Sequence, residues 1–151
     1  MGVAAWDRLV DAEERVTLSA DMPEKTDGLL VRYFVPGRPA NLANRRMHYM
    51  ERARIVAQER SVARLIGASE MVRQRVPKAK EKRKLVLTLM LVGRLLDVDN
   101  GYSAAKPYCD SVQDCGLIVR DDLEWCEMVV QQRKVRYRGA QGVYIEVWRA
   151  D

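Results

Sequence analysis

Residues 85–92 read Leu-Val-Leu-Thr-Leu-Met-Leu-Val, and no other stretch constrains the fold as strongly. A half-buried strand alternates apolar and polar residues. This run is apolar on both faces, which is the pattern of a central strand covered on two sides. The other elements must be arranged around it. Leu29 to Val35 reads as a first strand, ended by Pro36-Gly37, and residues 38–44 as a loop. A long helix is expected from about Arg45 to Val72, with no interior proline and with good formers such as Ala53, Ala57, Ala63 and Leu65. Gly67 is its expected point of interruption, and Val76-Pro77-Lys78-Ala79-Lys80 breaks it. After the central strand, Ala105, Tyr108, Cys109, Val112 and Cys115 form a helical stripe within 103–115. Pro107 is best tolerated in a first turn, so that helix is expected to begin close to Lys106. Trp125 to Val135 and Val143 to Trp148 read as two further strands joined by a turn over 138–142.

This order, strand, helix, strand, helix, then strands, predicts an α+β fold: a small mixed β-sheet packed with two main helices. At 151 residues the chain reads as one domain over 29–151 behind an acidic extension, residues 1–28. The extension carries seven acidic residues against three basic ones. A short helix is expected there over Ala4 to Val16, as a packing accessory.

The 48% hydrophobic fraction argues against disorder. The net charge of +5 suggests a polyanionic partner without naming it. Residues 45–84 concentrate that charge: thirteen basic residues oppose four acidic ones, a net +9. Such a segment suits contact with phosphates. Cys109, Cys115 and Cys126 form no Cys-x-x-Cys and His48 is the single histidine, so a structural zinc site lacks ligands. The cysteines are expected to be buried and reduced in a cytoplasmic protein. No run reaches transmembrane length, no signal peptide is read, and Trp6 stands where a myristoylation signal needs Ser or Thr.

Against this basic background, residues 97–122 gather acids: Asp97-Val98-Asp99-Asn100, then Lys106, Asp110, Gly116 and Asp121-Asp122. Read as the end of a strand, Asp97 and Asp99 share one face. Two adjacent carboxylates repel unless a cation lies between them, and oxygen-rich sites favour Mg²⁺ or Mn²⁺. A calcium loop fails on spacing, because Gly101 falls at its fifth position and Tyr108 at its twelfth. If a turn returned Asp121 or Asp122 to Asp97 and Asp99, three carboxylates would hold a divalent ion for phosphodiester hydrolysis, with Lys106 close enough to neutralise developing charge.

The stretch resembles the RusA-like family of Holliday-junction resolvases. Asp97-Val98-Asp99-Asn100, Lys106-Pro107-Tyr108-Cys109-Asp110, Gly116-Leu117-Ile118 and Asp121-Asp122 with Trp125 carry the likeness. Pro39 to Arg54, with Asn44, Arg46 and His48, is similar to the family's entry segment. The likeness spans roughly residues 31–148. It implies a homodimeric Mg²⁺-dependent endonuclease, bacterial or phage-encoded, that cuts paired strands at branched DNA such as a four-way junction, without an organic cofactor or a membrane. Asp97, Asp99 and one of Asp121 or Asp122, with Asp122 favoured, would be metal ligands. Lys106 would take the family lysine's role. Arg45, Arg46, Lys78 and Lys80 are the expected DNA contacts. The competing readings are a branched-DNA-binding module without activity, and an interaction protein using its acidic prefix and basic body.

Overall fold

The computed structural model describes residues 28–42 and 45–150. The expected helix over Ala4 to Val16, and Asn44, lie outside the described residues. Four strands and two long helices follow in the order β1 (Leu29–Pro36), α1 (Tyr49–Gln74), β2 (Arg83–Val92), α2 (Val98–Cys115), β3 (Cys126–Val135) and β4 (Gly142–Arg149), with a short 3-10 turn at Arg138–Ala140 before β4. The strands form one mixed sheet in the order β1-β4-β2-β3. β4 runs antiparallel to both β1 and β2, while β2 and β3 are parallel. The expected α+β architecture is therefore present, and the apolar run of β2 lies between β4 and β3.

The pleat explains how both faces of β2 are used. Leu85, Leu87, Leu89 and Leu91 point to the helices, where they meet Val143, Ile145 and Val147 of β4 and Tyr108, Cys109 and Val112 of α2. Met90 faces the other way, into a smaller cluster with Val135, Ala140 and Tyr144. The three cysteines are free and buried. Burial pushes the Cys109 thiol up to about 12 and that of Cys126 to about 11, so both remain protonated near neutral pH.

Both helices depart from the sequence expectation, α1 first. Gly67 does not interrupt α1; it is buried in mid-helix. A methyl group there would meet the Tyr33 hydroxyl at 2.8 Å and Cys115 Sγ at 3.0 Å. The glycine thus lets α1 approach β1 and α2 closely. Gly67→Ala should gain about 1 kcal/mol of helix propensity. It should lose more to overpacking, at about 1–3 kcal/mol. A net fall in the urea midpoint is expected; a rise would show that Tyr33 gives way easily. α1 also starts at Tyr49, not Arg45, because His48 is the N-cap and its Nδ1 accepts from the Met50 N–H at 3.2 Å.

The second change is at α2, which starts eight residues before Lys106. Asp97 is its N-cap and Asp99 lies in its first turn, so Pro107 falls inside the helix. Pro107 cannot donate to the Ser103 carbonyl one turn earlier, and the helix tolerates that single missing bond.

Edge strand β1 is tied down by α1. Gln74 of α1 accepts from the Arg32 N–H at 3.2 Å and donates to the Arg32 carbonyl at 2.8 Å, covering backbone groups that an edge strand leaves open. The Arg32 side chain pairs with Glu146 on β4 at 3.1 Å. Burial holds the Glu146 carboxyl above the ordinary glutamate value, and Arg32 partly opposes this. A raised folded value means that the stability contributed by this group falls as pH rises from the ordinary value through the folded one. Removing Arg32 leaves the carboxylate buried without its cation. Arg32→Ala should cost about 3 kcal/mol near neutral pH. That cost should shrink as the pH falls through the raised folded values, which lie above the ordinary 4.5, because Glu146 is protonated there. Urea titrations at both pH values check it, and a cost independent of pH would remove the ion pair as its cause.

Candidate functional site

The sequence Asp97-Val98-Asp99-Asn100 is the N-terminus of a helix, not a strand end. Asp97 has extended backbone (φ −61°, ψ 157°) and its carbonyl accepts from the Gly101 N–H at 2.8 Å, the first turn of α2. An acidic N-cap and an acid in the first turn suit the positive end of the helix dipole. The expected shared face of an extended Asp-x-Asp is therefore lost. Both residues are exposed, and among the described residues neither carboxylate joins an ion pair.

Lys106 lies seven residues beyond Asp99. At 3.6 residues per turn that is close to two full turns, which returns it to the same side of α2, about 10 Å along the axis. Its ammonium donates to Asp121 Oδ2 at 2.6 Å and lies 3.1 Å from Asp110 Oδ1. These two carboxylates hold the Lys106 ammonium well above the usual lysine range, the Asp121 hydrogen bond being the larger cause, and Lys106 in turn holds Asp121 below the usual carboxylate range. Asp110 also approaches Arg60 of α1 at 3.9 Å, and Arg60 grips Asp114 with two hydrogen bonds of 2.6 and 2.7 Å. The result is an alternating chain of charge, Asp121–Lys106–Asp110–Arg60–Asp114, across the outer faces of both helices. Asp114 is missing from the sequence reading, and Arg60 enters it only as one of the thirteen basic residues of 45–84. The four-residue repeat Lys106, Asp110, Asp114 on α2 was the available signal.

Asp121 and Asp122 have different work. Asp121 reaches Lys106. Asp122 pairs with Arg120 at 3.0 Å, and its Oδ1 accepts from the Trp125 N–H at 3.3 Å, closing the turn into β3.

Topology separates the two acidic groups. Because β2 and β3 are parallel, with Arg83 opposite Cys126 and Val92 opposite Val135, the chain leaves β2 towards Asp97 at one end of the sheet and enters β3 from Asp122 at the other. Ten residues of strand separate those ends, about 30 Å, yet Asp121 reaches Lys106, which stands about 10 Å along α2 from Asp99. Among the described residues no three His, Cys, Asp or Glu side chains are grouped to hold a metal ion. Within one chain, then, the donors are suitable oxygen ligands but stand as two stations rather than one set.

Each station has basic neighbours. Arg45 and Arg46 are exposed just before α1, and Arg52 of α1 shares a cleft with Ser103 and Lys106 of α2, so this end of α1 lies beside the first half of α2. At the other end the Ala79 N–H donates to the Gly116 carbonyl at 2.8 Å, and Gly116 faces the Lys78 side chain. Lys78 and Lys80 are exposed on that linker. Not every basic residue of the 45–84 segment is free for a partner. Arg83 is buried and donates to the Leu117 and Pro77 carbonyls, Arg73 pairs with Glu70, and Arg60 with Asp114.

No protein-family model, curated protein or solved structure matches this chain. No helix among the described residues is long and apolar enough to cross a membrane.

Proposed function

We propose that this protein is a Mg²⁺-dependent endonuclease, with Mn²⁺ as a substitute ion, that acts as a homodimer on branched DNA such as a four-way junction. The observation that carries the reading is Lys106. An exposed lysine links Asp121 to the helix that Asp97 and Asp99 begin, in a surface with cationic residues at both ends. The likeness of residues 97–125 to the RusA-like resolvases supports the same chemistry.

The separation of the stations fits a two-copy site. In a two-fold dimer, the Asp97 and Asp99 end of one copy can face the Asp121 and Asp122 end of its partner, which makes two equivalent sites from self-complementary surfaces. A divalent ion held there supplies positive charge to a phosphoryl oxygen. Lys106 neutralises negative charge that develops on the phosphate, and releases Asp121 as it does so. Arg45, Arg46, Lys78 and Lys80 hold the flanking phosphates in register, without reading sequence.

The test is a labelled four-way junction and a matched linear duplex, each with Mg²⁺ and with chelator. Paired, metal-dependent nicks confined to the junction are expected. Tight junction binding without a cut under any divalent ion would leave a binding module, in which the carboxylates serve α2 capping and Lys106 pairing alone.

A further inference from the structure

One cleft beside the proposed site has no role in the reading above. It is formed where the segment before α1 meets the adjoining faces of α1 and α2, and its volume is about 280 Å³. That is near the lower limit for small-molecule clefts, about 300 Å³, a size suited to one planar ring system. Leu42, Val56 and Pro107 give it apolar walls, and Arg52 and Lys106 add two positive charges.

Its polar lining is asymmetric. Glu59 Oε2 accepts from the Ala40 N–H at 3.1 Å and from the Tyr108 hydroxyl at 2.8 Å, so donors from two different segments fix the carboxylate. Oε1 takes no hydrogen bond among the described residues. Ser103 and Pro107 line the cleft beside it. The cleft thus offers apolar walls and a fixed carboxylate oxygen, beside two cations. Its acceptor selects a ring that presents N–H groups, and its cations select a ligand that carries phosphates.

We propose that this cleft receives one unstacked nucleobase of the bound DNA, whose amino edge donates to Glu59 Oε1 while Arg52 meets a flanking phosphate. This rests on the branched-DNA reading and adds base selection to it. A base at a branch point has lost part of its stacking, so withdrawing it costs less than from continuous duplex. A carboxylate acceptor favours amino-bearing bases, a discrimination of about tenfold or more.

The experiment compares four-way junctions in which each base next to the branch either keeps or lacks its exocyclic amino group (adenine against purine, guanine against inosine). Affinity is measured in Ca²⁺ with full-length protein. Wild type should favour the amino-bearing base about tenfold at one position. Glu59→Gln can still accept from Ala40 and Tyr108 but turns an N–H₂ towards the cleft, so it should lose that preference while keeping junction binding. Val56→Phe fills the cleft while keeping the Glu59 carboxylate and should lose it too, which serves if Glu59→Gln does not fold. Junction binding with no amino preference at any position, or a preference unchanged in the folded variants, overturns the cleft assignment and leaves the DNA reading standing. Absence of junction binding in wild type overturns both.

Discussion

Gly142→Ala should destabilise the protein by at least about 3 kcal/mol, more than a typical overpacking substitution. Gly142 opens β4 opposite Pro36 of β1 and Met90 of β2. A methyl group there runs into the Val35 carbonyl oxygen and the Phe34 ring. The ring is a side chain packed against Met90, Val135, Ala140 and Tyr144. The carbonyl cannot move away, because β1 is held through the β4 ladder and through Gln74. Relief requires β1 and β4 to separate at the point where the Gly37 N–H reaches the Gln141 carbonyl at 2.9 Å. Gly139, three residues earlier, has no atom within 4 Å of the corresponding position, so Gly139→Ala is the matched control and should be nearly neutral. For a chain of this size each kcal/mol moves the melting midpoint by roughly 2–4 °C, so Gly142→Ala should melt at least about 6 °C lower. Equal midpoints for the two variants would mean that the strand start relaxes freely.

How much of this was legible in the sequence depends on the range of the interaction involved. The four strands and the helix break at 76–80 follow from local period and punctuation, and the structure reproduces them to within a residue or two. β2 was identifiable because its apolar run leaves no wet face. The start of α2 lies eight residues before Lys106, although Pro107 favours a first turn. The stronger signal was an N-cap aspartate with a second acid in the first turn, and Asp97 and Asp99 have both features. Gly67 was misread because propensity alone does not reveal that Tyr33 and Cys115 press on that position. The partner of Glu146 is 114 residues away in sequence, and no local pattern points to Arg32. The members of the candidate site were legible as a linear cluster. Their arrangement was not, because it depends on β2 and β3 being parallel, and strand direction is not written in either strand.

Asp99→Asn should abolish junction cleavage, by at least about 10³-fold, while junction binding stays equal or tightens. The cleavage term reflects the several kcal/mol of charge stabilisation that a correctly held divalent ion provides. The binding term reflects removal of an exposed negative charge that faces phosphates. Asparagine remains a good N-terminal helix residue, so the fold of α2 should not change. The same variant tests whether the site is shared between copies. If Asp97 and Asp99 of one copy work with the acidic turn of the other, then mixing Asp99→Asn protein with a double Asp121→Asn, Asp122→Asn protein, both inactive alone, should restore cutting. In each mixed dimer one site would carry both lesions and the other none, so single nicks should appear, without paired cuts. If the carboxylates of a single copy gather on their own, every site in the mixed dimer keeps one lesion and nothing is restored. Full cleavage by Asp99→Asn alone would reject the site assignment whichever geometry holds.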